Sequence, residues 1–78
     1  MNKQLRLNDI PPGQKAKVIS MQATGPMGRR LLDLGLVDGS VVECLGRSPY
    51  GDPTAFLIRG AAIALRSEDS SSILVAPI

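Results

Sequence analysis

Lys15-Ala16-Lys17-Val18 alternates cationic and apolar side chains, the period-two pattern of a strand with one buried face. The alternation breaks at Ile19 and Met21, which predicts a bulge or edge twist within that strand. Upstream, Leu7-Asn8-Asp9-Ile10 reads as one turn that tucks Leu7 and Ile10 onto the core, and Ile10-Pro11-Pro12-Gly13 is a breaker cluster that closes the opening segment. Downstream the period changes. Met27, Leu31 and Leu34 fall at i, i+4 and i+7, one apolar helical stripe. Pro26 suits a first helical turn, with Thr24 or Gly25 as the cap. Gly28 beside the stripe permits close approach of a neighbouring backbone. Gly35 supplies a left-handed stop, and Leu36 is spaced to touch Leu31 in a Schellman ending.

The rest of the chain reads as short strands and turns. Val37–Ser40 is a turn, and Val41–Leu45 is β-rich and too short for a helix. Ser48–Pro53 is a loop stiffened by two prolines. Thr54–Arg59 is a second strand of this half, Gly60-Ala61 a tight turn, and Ala62–Arg66 a third strand. Ser67-Glu68-Asp69 opens a helical turn with Ser67 as its cap and acids where a helix favours them. Ile73–Val75 is a last strand, and Pro77 ends the fold. Five strands and one real helix predict a mainly β domain, a small and partly open β-barrel with an inserted helix, formed by residues 1–78 as a single unit.

Composition narrows what such a barrel can do. The 78 residues are 44% hydrophobic and 21% charged, which argues for a folded chain over a disordered one. The core must come from ten Leu, six Ile and five Val, because Tyr50 and Phe56 are the two aromatics. With no His and one Cys, the chain cannot form an internal disulfide, a Cys/His zinc site or a His-based triad. The longest wholly apolar run, Ala61–Leu65, has five residues, far below a membrane span, and no apolar segment follows the opening Met1-Asn2-Lys3-Gln4. These features predict a cytoplasmic protein without direct membrane insertion. The net charge of +2 comes from scattered cations, with Arg29-Arg30 the one adjacent pair, so no nucleic-acid arm is present.

Catalytic chemistry finds no footing. The acids, Asp9, Asp33, Asp38, Glu43, Asp52, Glu68 and Asp69, do not pair at the spacing of a general acid/base dyad. Cys44 sits mid-strand among apolar neighbours without an activating base and reads as a small buried hydrophobe. No phosphate-binding glycine motif occurs, and no cluster of ligands suits a metal. The expectation is therefore a protein that is not an enzyme, with no catalytic, cofactor or metal residues and no cofactor. Tyr50 and Phe56 are too thin a supply of stacking platforms for a single-strand nucleic-acid reader, and Phe56 reads as core.

An interaction module is what remains. Arg29 and Arg30 are read in the N-terminal half of the helix and Asp33 in its last turn, each opposing the helix dipole. Such a local violation points to function. The loop Pro49-Tyr50-Gly51-Asp52-Pro53 is preorganised and carries an exposed tyrosine, so it would lose little entropy on binding. An incompletely closed barrel also leaves strand edges open to weak self-association.

The segments Gly28–Gly39 (containing RRLLDLGL), Ser48–Pro53 (PYGDP), Ala64-Leu65-Arg66 and Ile73-Leu74-Val75 together resemble the FeoA family in order and spacing, and with Leu7, Ile10 and Gly13 the resemblance spans nearly the whole chain. It implies an SH3-like β-barrel with a helical insertion. It also implies a cytosolic accessory protein of bacterial ferrous iron uptake, acting with FeoB, a membrane transporter bearing a cytosolic GTP-binding domain. Partner-binding residues would then be Arg29, Arg30, Pro49, Tyr50, Gly51, Asp52 and Pro53. The competing expectation is a small barrel that binds nucleic acid or serves as a metal-linked transcriptional accessory module. A related SH3-like domain ends metal-dependent repressors of the DtxR type, but this chain has no helix-turn-helix.

Overall fold

The computed structural model describes residues 5–22 and 25–78. Six antiparallel strands, β1 (Leu5–Arg6), β2 (Lys15–Met21), β3 (Val41–Arg47), β4 (Thr54–Ile58), β5 (Ala61–Leu65) and β6 (Ile73–Pro77), form one sheet in the order β1-β6-β2-β3-β4-β5. A 3-10 turn covers Leu7–Asp9, helix α1 (Gly25–Asp33) joins β2 to β3, and the short helix α2 (Ser67–Ser70) joins β5 to β6. The strand Leu5–Arg6 is the element that the hydrophobic pattern does not reveal, since its pairing with Leu74 and Val75 is entirely long-range.

The bulge expected in β2 is present. Val18 pairs with Val75 and Ser20 with Leu74, which leaves Ile19 as the extra residue, exposed on the outside of the sheet. A second bulge, not expected, interrupts β3 between Cys44 and Gly46 and turns out Leu45 in the same way. It also carries β3 on to Arg47, two residues past the predicted end. Each bulge lets the strand resume its alternation, so one register places Val42 opposite Ile58 and Cys44 opposite Phe56.

The β4–β5 connection corrects the predicted turn. Arg59 and Gly60, with φ of 50° and 84°, are its two central residues, and β5 begins at Ala61. A two-residue hairpin whose central residues both have positive φ matches the twist of its strands, so Arg59 accepts an uncommon conformation there.

Inward-facing residues of the strands meet Leu7, Ile10, Leu31 and Leu36 in one core that includes Val42, Phe56, Ile58, Leu65, Ile73 and Val75. Leu34, from the expected helical stripe, and Ile63 of β5 are partly buried against this cluster. The Met27 side chain and the Thr24 cap lie outside the described residues. Gly25 takes a left-handed φ of 69° where α1 opens, a conformation that glycine adopts without steric cost.

The end of α1 has the predicted form. Leu36 N–H donates to the Leu31 carbonyl at 3.0 Å and Gly35 N–H to Leu32 at 2.9 Å, the paired bonds of a Schellman motif. Ser40 Oγ adds a bond to the Gly35 carbonyl at 2.8 Å. Gly35 has a φ of 98°, and a Cβ there would collide with the side chain of Arg59. Gly35→Ala therefore combines left-handed strain with a displaced arginine, and we expect it to cost about 1–3 kcal/mol in chemical denaturation. A Gly35→Ala protein as stable as the parent would contradict this account of the helix end.

Candidate functional site

The loop between β3 and β4 is held from within and from both flanks. Ser48 N–H donates to the Pro53 carbonyl at 3.0 Å and Gly51 N–H to Ser48 at 2.8 Å, closing it on itself, and the Asp52–Pro53 peptide is cis. On one flank, Arg47 donates to the Asn8 carbonyl at 3.2 Å, which ties the loop to the Leu7–Asp9 turn. On the other, Asp52 Oδ1 accepts from Ser67 N–H at 2.8 Å. This last bond corrects the reading of Ser67 as a helix cap. Ser67 is the first residue of α2, Arg66 occupies the cap position without a side-chain bond, and the capping oxygen arrives from a loop fifteen residues away in sequence. Asp52 therefore supports the fold with one carboxylate oxygen. Tyr50 is 94% exposed at the tip, beside exposed Pro49 and Gly51, so the loop presents an aromatic ring on a closed frame.

Arg29, Arg30 and Asp33 are exposed and line, with Gly25 and Pro26, an open depression along α1. Their placement corrects the dipole argument. The helix starts at Gly25, so Arg30 falls in its last turn, where a cation is favourable, and Arg29 lies mid-helix. Of the three residues, Asp33 alone still opposes the dipole. What the sequence pattern did not single out is Leu32, half-exposed three residues from Arg29 and so its neighbour on the helix surface. The signal was available: in Leu31-Leu32 one leucine joins the stripe with Leu34, and its neighbour must turn away.

The arginine face and the loop are not brought together. The end of α1 adjoins Arg59 at the tip of the β4–β5 hairpin, whereas Ser48–Pro53 leads into the opposite end of β4. No residue of the loop lines the depression along α1.

Cys44 is fully buried, and that burial pushes its thiol pKa up despite the opposing effects of Arg47 and a backbone N–H at Gly46. A thiol so placed is a packing group, not a nucleophile. No three of the described His, Cys, Asp or Glu side chains converge to hold a metal ion. We expect weak ferrous iron binding by the isolated chain, because neither soft nor imidazole ligands converge. Anaerobic calorimetry that finds a stoichiometric submicromolar site would overturn this expectation. Among the described residues, no helix is long and apolar enough to cross a membrane.

The described residues form a domain of the SH3-like barrel class, six antiparallel strands with short inserted helices. The FeoA domain model matches residues 5–77, and the chain belongs to the FeoA family. It is 33% identical to the FeoA-like protein of Clostridium acetobutylicum, whose NMR structure superposes with a TM-score of 0.88 over 100% of this chain and 91% of that one. It is 29% identical to Stenotrophomonas maltophilia FeoA, a prokaryotic SH3 domain protein solved with zinc, with a TM-score of 0.82 over 92% of this chain and 89% of that one. Against the Fe(2+) transport protein A/Fe(2+) transporter FeoB fusion protein of Porphyromonas gingivalis (strain ATCC BAA-308 / W83) it is 28% identical over 71 residues. That match takes in 91% of this chain and 8% of the fusion protein's length.

Proposed function

We propose that this chain is a cytosolic adaptor that docks on the cytosolic part of a FeoB-like transporter and modulates ferrous iron uptake. The observation that carries the reading is the Porphyromonas gingivalis fusion, in which a domain of this family is joined to a FeoB transporter in one polypeptide. Covalent fusion raises the effective concentration of two modules that act together, and a separate chain must supply the same proximity by binding. The exposed surface suits that role: Tyr50 on its braced loop and Arg29 and Arg30 on α1 are residue types enriched where protein contacts carry binding energy.

The competing reading, a nucleic-acid-binding barrel, loses support from the burial of Phe56, which leaves Tyr50 as the one exposed aromatic. Titrating the chain against the isolated cytosolic domain of a FeoB-like transporter separates the two. Saturable binding with a shallow dependence on salt is expected for an apolar-centred protein contact. Absence of that binding, together with steeply salt-dependent binding to single-stranded RNA or DNA, would replace the adaptor reading with the other.

A further inference from the structure

The edge strand β5, Ala61-Ala62-Ile63-Ala64-Leu65, carries no charged residue, and among the described residues it pairs on one side alone, with β4. Edge strands are ordinarily protected by charge, proline, bulges or brevity. β5 has none of these, whereas β1 at the other edge spans two residues and bears Arg6.

The hairpin register settles which backbone groups face outward. Ile58 and Ala61 close the two-residue turn and form a hydrogen-bonded pair, and antiparallel pairs alternate from there. Phe56 with Ile63 and Thr54 with Leu65 are then also hydrogen-bonded pairs, so Ala61, Ile63 and Leu65 spend their backbone groups on β4. The N–H and C=O of Ala62 and Ala64 point away from the sheet. No turn or loop hydrogen bond among the described residues uses them.

We propose that β5 is a self-pairing edge through which two copies of this chain join antiparallel about a two-fold axis at Ile63. In that register Ala62 of each copy exchanges both backbone hydrogen bonds with Ala64 of the other, using the outward-facing groups of both strands. Ile63 meets Ile63 as a non-hydrogen-bonded pair, the arrangement in which facing side chains are closest. Ile63 is only partly buried in the monomer, on the core face of the sheet, so the second copy's Ile63 covers apolar surface that one barrel leaves open. Ala62 and Ala64 project from the outer face and add no bulk against the approach.

Charges do not oppose the register. Ala61–Leu65 carries none, and the flanking cations, Arg59 in the turn with its side chain against Gly35 and Arg66 past the strand end, lie outside the paired segment. Any extended strand can form the backbone bonds; what favours a second copy is the facing pair of Ile63 side chains over the apolar surface that one barrel leaves open. Two five-residue edges bury less than a standard interface, so the dimer is weak and forms at high protein concentration. This inference stands on the sheet edge and does not depend on the transporter reading.

Sedimentation velocity of the full chain over a concentration series is the first test. The mean mass should rise from 8.2 kDa toward twice that value as concentration approaches about 1 mM. Ala64→Pro removes an outward N–H that the monomer does not use, so the variant should keep its circular dichroism and melting temperature while remaining monomeric. The register has its own readout. In Ile63→Cys, the paired Cα atoms would lie about 4.5 Å apart, within disulfide range, so mild oxidation should yield a covalent dimer. Leu45→Cys, on the outside of the β3 bulge, should not give one. A chain that stays monomeric throughout the series overturns the proposal. So does a dimer that persists in a folded Ala64→Pro variant, or one whose Leu45→Cys form cross-links as readily as Ile63→Cys.

Discussion

Leu31→Ala should lower stability by about 2–5 kcal/mol, the range for removing a leucine from a packed core. Leu31 is fully buried, and with Leu36 and the partly buried Leu34 it anchors the α1 segment on the core. The substitution thus opens a cavity and loosens the helix at once, while Leu36 keeps its backbone bond to residue 31. A domain of this length has a total stability on the order of 4–12 kcal/mol. The expected outcome is a melting temperature lowered by about 10 °C or more, or a chain unfolded at room temperature. Thermal unfolding followed by circular dichroism decides it. A variant that melts within a degree or two of the parent would remove Leu31 from the core and the α1 packing with it.

The second large effect concerns the partner. Arg29→Ala/Arg30→Ala should weaken docking on the transporter's cytosolic domain by about 2 kcal/mol, or roughly thirtyfold, if either arginine is an interfacial hot spot. Both side chains are exposed, and alanine is the best helix former, so melting should move little. The alternative is that Arg30 packs back across the barrel and holds α1 in place. Melting temperature and affinity measured on the same preparation separate the two. Unchanged melting with weakened binding supports the contact, and lowered melting with intact binding makes the arginines structural. Because no residue of the loop lines the depression along α1, Tyr50→Ala should be tested beside the double variant. A partner that spans both patches loses affinity in each, and one that uses a single patch is blind to one of them.

Local chemistry accounts for the parts of the fold that were legible in advance. The helix stripe and its Gly35 stop, the β2 bulge, the burial of Phe56 and Cys44, and the exposure of Tyr50 follow from periodicity, glycine conformation and hydrophobicity over a few residues. The misplaced features share a different cause. Ser67 in front of two acids has the pattern of a cap, but the cap comes from Asp52, which only the folded chain brings near. Arg29 and Arg30 were read in the N-terminal half of the helix, whereas α1 places Arg29 at its centre and Arg30 in its last turn, a shift that one residue at the boundary is enough to make. The turn at Arg59-Gly60 needed a non-glycine residue with positive φ, which hairpin register imposes against local preference.

By itself, then, the sequence determined a small mainly β domain with one inserted helix, no disulfide or His chemistry, and the motif set of its family. These rest on interactions within a few residues of one another, or on composition. The tertiary structure alone decided that β1 pairs with β6, that Asp52 serves α2, and that β5, among the described residues, pairs on one side alone. Each of these is a contact, or a missing contact, between segments distant in sequence. Strand order and barrel closure create such relations, and no local pattern of side chains encodes them.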